Sequence, residues 1–198
     1  MGQFRQEFGV DKDNDFASLI APIRKRMFET VWRILRHSQD AEDALQNALS
    51  TAWQQRVRIA SHPVPQALIL KICADAAIDH FRRSRRISES VDLTLLEDRL
   101  TSAGPLPVDD VIGKESLEII MQAISRLSSN QATTIVMRFI QGESNAAIAA
   151  ALGCGTETVR EHVDRGKERL RRMLGHLAPH GWNLASSDST PLVQENER

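Results

Sequence analysis

The chain lacks the residues that mark several common classes of protein. Its 198 residues include no tyrosine, 5% aromatic residues and two isolated cysteines, Cys73 and Cys154, which are too few for a zinc site. Both lie in apolar helical patterns, which indicates buried or half-buried thiols in a reducing compartment. No apolar run approaches a membrane span, and the first residues are too polar for a secretory signal. We therefore expect a cytoplasmic protein with no metal, no cofactor and no membrane insertion.

Charge is balanced in total but unevenly distributed along the chain. The 25 basic and 26 acidic residues give a net charge of −1. Basic residues concentrate at 82–86 and 160–172, and acidic residues at 11–15, 40–43 and 89–98. This segregation favours local contact with DNA together with a protein partner.

Apolar residues recur at steps of three and four, without strand alternation or an internal repeat, which predicts an all-α protein. The first half should hold one long helix over 16–35, a second over 38–53 and a third that begins at Pro65, with a loop over 58–64. Two more helices, over 117–127 and 132–140, follow in the second half, and Gly142 ends the later one.

These patterns predict two helical domains joined by a flexible linker. The linker contains Gly104, Pro105 and Pro107 and many acids, with a short helix at 93–100. The expected divisions are an N-terminal tail over 1–13, a first domain over 14–90, the linker over 91–113, a second domain over 114–178 and a disordered tail over 179–198.

The stretch ESNAAIAAALGCGTETVREHVDRGKERLRRML, residues 143–174, has the pattern of two helices joined by a tight turn. Ser144 can cap the first helix, and Gly153 can supply the left-handed conformation that ends it. Ala149 permits close approach of the two helices, and Val159 continues their apolar face. This is the plan of a helix-turn-helix, whose second helix enters the DNA major groove. The alternative is an ordinary αα-hairpin with a solvated basic face.

The second of these helices carries the predicted contacts with DNA. Arg160 can bind a guanine edge or a phosphate, and Glu161 can accept a hydrogen bond from a cytosine amino group. Gly166 is a departure, since glycine inside a helix costs about 1 kcal/mol relative to alanine. The predicted contact residues face outward near the start of the helix: Thr156, Glu157, Thr158, Arg160, Glu161, Asp164 and Arg165.

Three segments together resemble the sigma-70 family of bacterial RNA polymerase sigma factors, in its extracytoplasmic-function (ECF) class. SQDAEDALQNALSTAW, residues 38–53, resembles the family's D-x-E-D-x-x-Q-x-x-F-x-x-x-W helix, which binds the polymerase clamp. LILKICADAAIDHFRRSRR, residues 68–86, resembles the helix that melts and reads the minus-ten element. Residues 127–171 resemble the region that reads the minus-thirty-five element, and the order and spacing of the segments match as well.

The resemblance implies a specificity subunit that performs no catalysis, with core RNA polymerase, promoter DNA and an anti-sigma factor as partners. The residues that it places on the polymerase clamp are Asp40, Glu42, Asp43 and Gln46. Those that it places on the minus-ten side are Asp75, Asp79, His80, Arg82, Arg83, Arg85 and Arg86. The outward face of the helix-turn-helix would read the minus-thirty-five element.

The chain departs from the family pattern at Asn47, Leu68 and Asp75. An acid at position 75, on a helix expected to face DNA, opposes capture of a DNA strand. One alternative reading is a helix-turn-helix regulator that acts without being a polymerase subunit, and another is a helical adaptor. An enzyme is disfavoured, because Asp79, His80, Cys154 and His162 are the only suggestive groups and neither a phosphate loop nor an H-E-x-x-H motif is present.

Overall fold

The structure, a computed structural model, describes residues 16–90 and 108–175, with side chains over 16–87 and 117–175. The described residues contain helices and no strand, which confirms the predicted all-α class. The predicted N-terminal tail, the short helix at 93–100 and the tail over 179–198 lie outside the described residues. None of the described helices is both long and apolar enough to cross a membrane.

The first unit, residues 16–90, begins with a helical segment that proline interrupts. Residues 16–20 are helical and run into a 3₁₀ turn, Ala21–Ile23, before α1 (Arg24–Leu35). The prediction of one uninterrupted helix over 16–35 is wrong at this turn. Pro22 has no backbone N–H to donate, and its ring clashes with the preceding turn of a regular α-helix.

Three further helices complete the first unit: α2 (Ser38–Gln54), α3 (Arg56–Ala60) and α4 (Pro65–Ser90). The start of α4 at Pro65 is confirmed. The loop predicted over 58–64 is helical as far as Ala60, because Ile59 is fully buried in the core and favours helix there.

The second unit, residues 108–175, consists of α5 (Val108–Ser125), α6 (Ser129–Ile135), α7 (Asn145–Leu152) and α8 (Thr156–Leu174). Because α5 begins at Val108, the last residues of the predicted linker are helical. A π-helical segment, Val136–Ile140, extends α6 where a plain α-helix was expected. Gly142, at φ +75°, ends this segment as predicted.

The two units pack against each other, and α4 lies between them. Ile69 and Leu70 of α4 belong to the same buried core as Ile135 and Val136 of the second unit. Near the start of α4, Ala67 packs in a smaller buried cluster that otherwise comes from the second unit: Met137, Ile148, Ala149, Ala151 and Val159. The two predicted units therefore share a core across α4, a contact that the sequence patterns did not indicate.

Gly166, which stood out as a costly residue inside a helix, lies at a close crossing of α8 and α6. It is buried, and a Cβ atom there would lie 3.0 Å from Ile135 Cγ1 and 3.1 Å from Ile135 Cδ1. The absent side chain thus allows the two helices to approach, which offsets the low helix propensity of glycine.

We expect Gly166→Val to lower the free energy of unfolding by about 1–3 kcal/mol, because its methyl groups would overlap Ile135. The double variant Gly166→Val/Ile135→Ala should be less destabilised than the sum of the two single variants, since the smaller side chain makes room. Urea denaturation of the four proteins gives the coupling energy. Strictly additive effects would show that the crossing is not as tight as described.

Candidate nucleic-acid interface

The turn between α7 and α8 has the hydrogen bonds of a rigid helix-turn-helix. Ser144 Oγ accepts a hydrogen bond from the Ala147 N–H at 3.1 Å, which confirms the predicted cap of α7. Gly153 adopts φ +67°, as predicted, and its N–H donates to Ala150 O at 3.2 Å. The Cys154 N–H donates to Ala149 O at 3.0 Å, which completes a Schellman motif. The turn therefore holds the two helices in one orientation.

Buried contacts fix the angle between the two helices. Ile148 of α7 and Val159 of α8 are completely buried, and Ala149 is 4% exposed. Gly155, in extended conformation at φ −76° and ψ 156°, precedes the first residue of α8. The apolar side of α8 is thus held against α7, so that its opposite side faces outward.

All seven predicted contact residues of α8 are exposed. Two of their cations form ion pairs within the helix: Arg160 Nη1 lies 2.8 Å from Glu157 Oε2, and Arg165 Nη2 lies 3.0 Å from Glu161 Oε2. Exposed pairs of this kind contribute only about 0–1 kcal/mol. Either arginine can therefore exchange its carboxylate for a DNA phosphate or a base edge at small cost.

The cations farther along α8 also have partners within the second unit. Arg171 and Arg172 both donate to Glu168, at 2.6 and 3.0 Å, and these hydrogen bonds lower the pKa of the Glu168 carboxyl. Lys167 Nζ lies 5.2 Å from the centre of the Phe139 ring, and Arg169 donates to Gln131 Oε1 at 3.3 Å. Arg171 and Arg172 remain exposed, so their pairs with Glu168, like those at the start of α8, can be exchanged for DNA at small cost.

Most of the predicted clamp-binding face of α2 is open to solvent. Glu42, Asp43 and Gln46 are exposed. Asp40 is different, because its Oδ1 lies 3.2 Å from His80 Nε2 and its Oδ2 lies 3.4 Å from His37 Nδ1. Asp40 and His80, which the resemblance assigns to different partners, thus contact each other and join α2 to α4.

Apart from His80, which contacts Asp40 of α2, the predicted minus-ten residues on α4 divide into two groups. Asp79, Arg83 and Arg86 are exposed, and Arg85 is half-buried. Asp75 and Arg82 instead bind the second unit. Asp75 Oδ1 accepts a hydrogen bond from Thr133 Oγ1 at 2.6 Å, and Arg82 donates to the carbonyl oxygens of Ser125 and Leu127 at 3.0 and 2.9 Å. No local pattern predicts these contacts, since Thr133 lies 58 residues beyond Asp75.

The groups considered for an enzyme do not form one cluster. His80 binds Asp40, Asp79 is exposed beside Arg82, and Cys154 belongs to the turn before α8. Within residues 16–90 and 108–175, no three His, Cys, Asp or Glu side chains are placed to hold a metal ion. Burial, with a smaller effect from the charge of Asp75, raises the pKa of the Cys73 thiol to about 12, so this thiol is not a nucleophile at neutral pH.

A rigid helix-turn-helix with an exposed reading face defines a DNA-binding protein, and comparison with known proteins defines its family. Residues 117–179 match the family described as Sigma-70, region 4. The chain is 31% identical over 143 residues to the ECF RNA polymerase sigma factor SigM of Mycobacterium tuberculosis, covering 72% of this chain and 68% of that protein. It is 26% identical over 172 residues to SigW of Bacillus subtilis, an ECF RNA polymerase sigma factor, covering 82% and 90% of the two chains.

The chain belongs to the ECF RNA polymerase sigma factors. It is a sigma factor that directs promoter-specific transcription initiation, and a regulator that acts apart from the polymerase is not favoured. Its fold is also similar to that of CnrH, solved in complex with the cytosolic domain of CnrY. That match has a TM-score of 0.53 at 16% identity and covers 84% of this chain and 91% of CnrH.

We expect the two thiols to differ sharply in reactivity. A thiol reagent at neutral pH should modify Cys154, which is half-buried in the turn, much faster than Cys73, which is completely buried. Burial raises the pKa of Cys73 from 9.0 to about 12, and each unit of this rise lowers the thiolate fraction of Cys73 about tenfold. Stopped-flow labelling of the native chain and of a Cys154→Ser variant measures both rates. Equal labelling of two thiols in the native chain would contradict the described burial of Cys73.

Proposed function

We propose that this chain binds core RNA polymerase through α2, captures the melted minus-ten element on α4 and reads the minus-thirty-five element with α8. The exposed face at the start of α8, held by the Schellman turn, is the observation that carries this proposal. On this reading residues 14–90 form the region 2-like domain and residues 114–178 the region 4-like domain. The linker over 91–113 connects them, with its last residues in α5.

The face of α2 suits a protein partner better than DNA. Glu42 and Asp43 are exposed acids, and Gln46 lies next to them one turn along the helix. A carboxylate pair repels the phosphate backbone but complements a basic protein surface. The polymerase clamp is the partner that the family resemblance implies for this helix.

The exposed end of α4 suits a single strand of DNA. Arg83 and Arg86 are open to solvent and can bind backbone phosphates. Bases that have left the duplex can then be held in protein pockets while cations hold the backbone. On this account the chain makes and breaks no covalent bond, because the polymerase performs the chemistry.

The proposal includes the cellular setting and a further partner. We place the chain in the cytoplasm, where the polymerase and the promoter are found. CnrH, to which the fold is similar, was solved in complex with the cytosolic domain of another protein, CnrY. We therefore also propose that an anti-sigma factor binds this chain, as the family resemblance implies.

Run-off transcription with core RNA polymerase tests the proposal. Core polymerase mixed with this chain should give discrete transcripts from a subset of genomic fragments, and core polymerase alone should give none. Co-purification of the two measures complex formation separately. If the purified chain did not bind core polymerase, the proposed function would be lost.

The role of α8 has its own test in Arg160→Ala. Loss of a bidentate contact with a base costs about 1–3 kcal/mol, which is roughly a 5- to 150-fold loss of transcription from promoters with the preferred minus-thirty-five element. Binding to core polymerase should not change. Arg171→Ala is the matched control, because Arg171 forms a similar exposed pair with Glu168 on the same helix but lies about three turns beyond Arg160, outside the predicted contact residues. A loss of core binding without any change in promoter choice would refute the assignment of α8.

A further inference from the structure

The geometry assigns His80 to the docking of core polymerase, as the residue that orients Asp40 on the clamp-binding helix α2. The family resemblance places His80 among the residues that read the minus-ten element, so the assignment changes the partner of this side chain. The inference rests on the proposed function of α2 as the helix that binds core RNA polymerase. It adds a positioning residue from a different helix, α4, to the acidic residues of α2.

His80 is largely covered by the protein, unlike other predicted minus-ten residues close to it on α4. Its side chain is 18% exposed, whereas that of Asp79 is 63% exposed. Arg83 and Arg86 are exposed as well. The Nε2 atom of His80 faces α2, where it lies 3.2 Å from Asp40 Oδ1. This covered position suits a side chain that holds a neighbouring residue better than one that contacts a DNA strand.

The spacing of buried residues on α4 explains why His80 points toward α2. Cys73 and Ala77 lie seven and three residues before His80, so that the three side chains share one face of the helix. Cys73 and Ala77 are completely buried, and so are Ala41 and Ala44 of α2, which belong to the same core. Small side chains allow helices to approach each other closely. The imidazole at the edge of this face thus reaches a carboxylate in the first turn of α2.

His80 is the histidine that donates a hydrogen bond to the Asp40 carboxylate. Asp40 has a second histidine neighbour, since its Oδ2 lies 3.4 Å from His37 Nδ1. That nitrogen also accepts the backbone N–H of Asp40 at 3.4 Å, as the cap of α2. A nitrogen that accepts a hydrogen bond carries no proton in the neutral ring. His37 therefore caps the helix without donating to the carboxylate, and the Nε2–H of His80 supplies the hydrogen bond to Oδ1.

The contact with His80 leaves part of the Asp40 carboxylate open to a partner. The side chain of Asp40 is 38% exposed. It lies on the wall of an open cavity of about 480 Å³, which Arg36, Arg85 and Glu118 also line. A carboxylate has about four acceptor positions, and His80 occupies one of them. A cationic group of the polymerase can thus bind Oδ2 while His80 still holds Oδ1.

A fixed carboxylate lowers the cost of forming an interface. Side chains lose rotamer freedom when they enter an interface, and a side chain that a neighbour already holds has less of this freedom to lose. His80 holds Asp40 before the polymerase arrives, and its own position is fixed by the packing of α4 on α2. Loss of this support should weaken polymerase binding, although it removes no atom from the exposed acidic residues of α2.

Substitution of His80 tests the inference through the affinity of the full chain for core polymerase. His80→Ala removes the donor and should weaken binding about three- to tenfold, as a fluorescence titration measures. His80→Gln should restore the affinity to within about twofold, because the glutamine amide nitrogen can donate from nearly the same place as imidazole Nε2. Urea denaturation establishes that each variant is folded under the conditions of the titration. Unchanged affinity of His80→Ala would overturn the inference.

A double-mutant cycle separates an effect through Asp40 from a general effect on the fold. If His80 acts through Asp40, adding His80→Ala to Asp40→Ala should cause no further loss of affinity. Gln46 is the matched control, because it is exposed on the same helix and lies about 9 Å along α2 from Asp40. The losses from His80→Ala and Gln46→Ala should therefore add. Additive losses from His80→Ala and Asp40→Ala would contradict the inference.

Run-off transcription separates polymerase docking from DNA reading. At limiting chain concentration, His80→Ala should give less transcript than the unchanged chain, and the deficit should disappear as the chain concentration saturates the polymerase. Arg83→Ala, which removes an exposed cation of α4, should lower transcription even at saturation. A deficit of His80→Ala that persists at saturation would assign His80 to the minus-ten element and overturn the inference.

The same titrations distinguish failure of the inference from failure of the proposed function. If the unchanged chain did not bind core polymerase, the proposed function would be lost. If the unchanged chain bound and Asp40→Ala bound equally well, Asp40 would have no part in docking. That result would overturn the role of His80 while leaving the proposed function in place.

Discussion

The structure depends on the burial of α4 from two sides. Five residues near its start, Ala67, Leu68, Ile69, Leu70 and Ile72, are each at most 6% exposed. Neighbouring positions on a helix point in different directions, so one partner cannot bury all of them. The first unit covers one side with α1 and α2, and the second unit covers another with α6, the π-helical segment and α7. Both units therefore gain stability from the same helix.

Because α4 is buried from two sides, the predicted functional surfaces differ in how exposed they are. Glu42, Asp43 and Gln46 on α2 and the reading face of α8 stay open, whereas Asp40 contacts His80 of α4. Asp75 and Arg82, which the family resemblance places on the minus-ten side of α4, bind the second unit in this structure. The contact between the two units combines this buried apolar packing with hydrogen bonds from the first unit to helix ends of the second.

The sequence predicted those features of the fold that depend on neighbouring residues, such as the ends of helices. Ser144, Gly153 and Pro65 have the roles that their side chains favour, and the helix-turn-helix follows from them. Pro22, however, interrupts a helix whose apolar spacing continues without change, and Ile59 extends a helix into a predicted loop. The Asp75 contact with Thr133 and the crossing at Gly166 depend on residues far apart in sequence. A single sequence contains no rule that pairs them, although the apolar run around Leu68–Leu70 was a signal that α4 is covered on more than one side.

The most direct test of this account is the distance between the two units in solution, free and in a transcription-competent complex. Spin labels at Val57→Cys in the first unit and Arg126→Cys in the second, in a Cys154→Ser background, use exposed positions outside the predicted contact sets. Pulsed electron resonance should give one short distance in the free chain. With core polymerase and promoter DNA, the account predicts a distance longer by several tens of ångströms, because α4 and α8 must then reach two promoter elements that lie roughly 85 Å apart on B-DNA. An unchanged short distance in an active complex would contradict it.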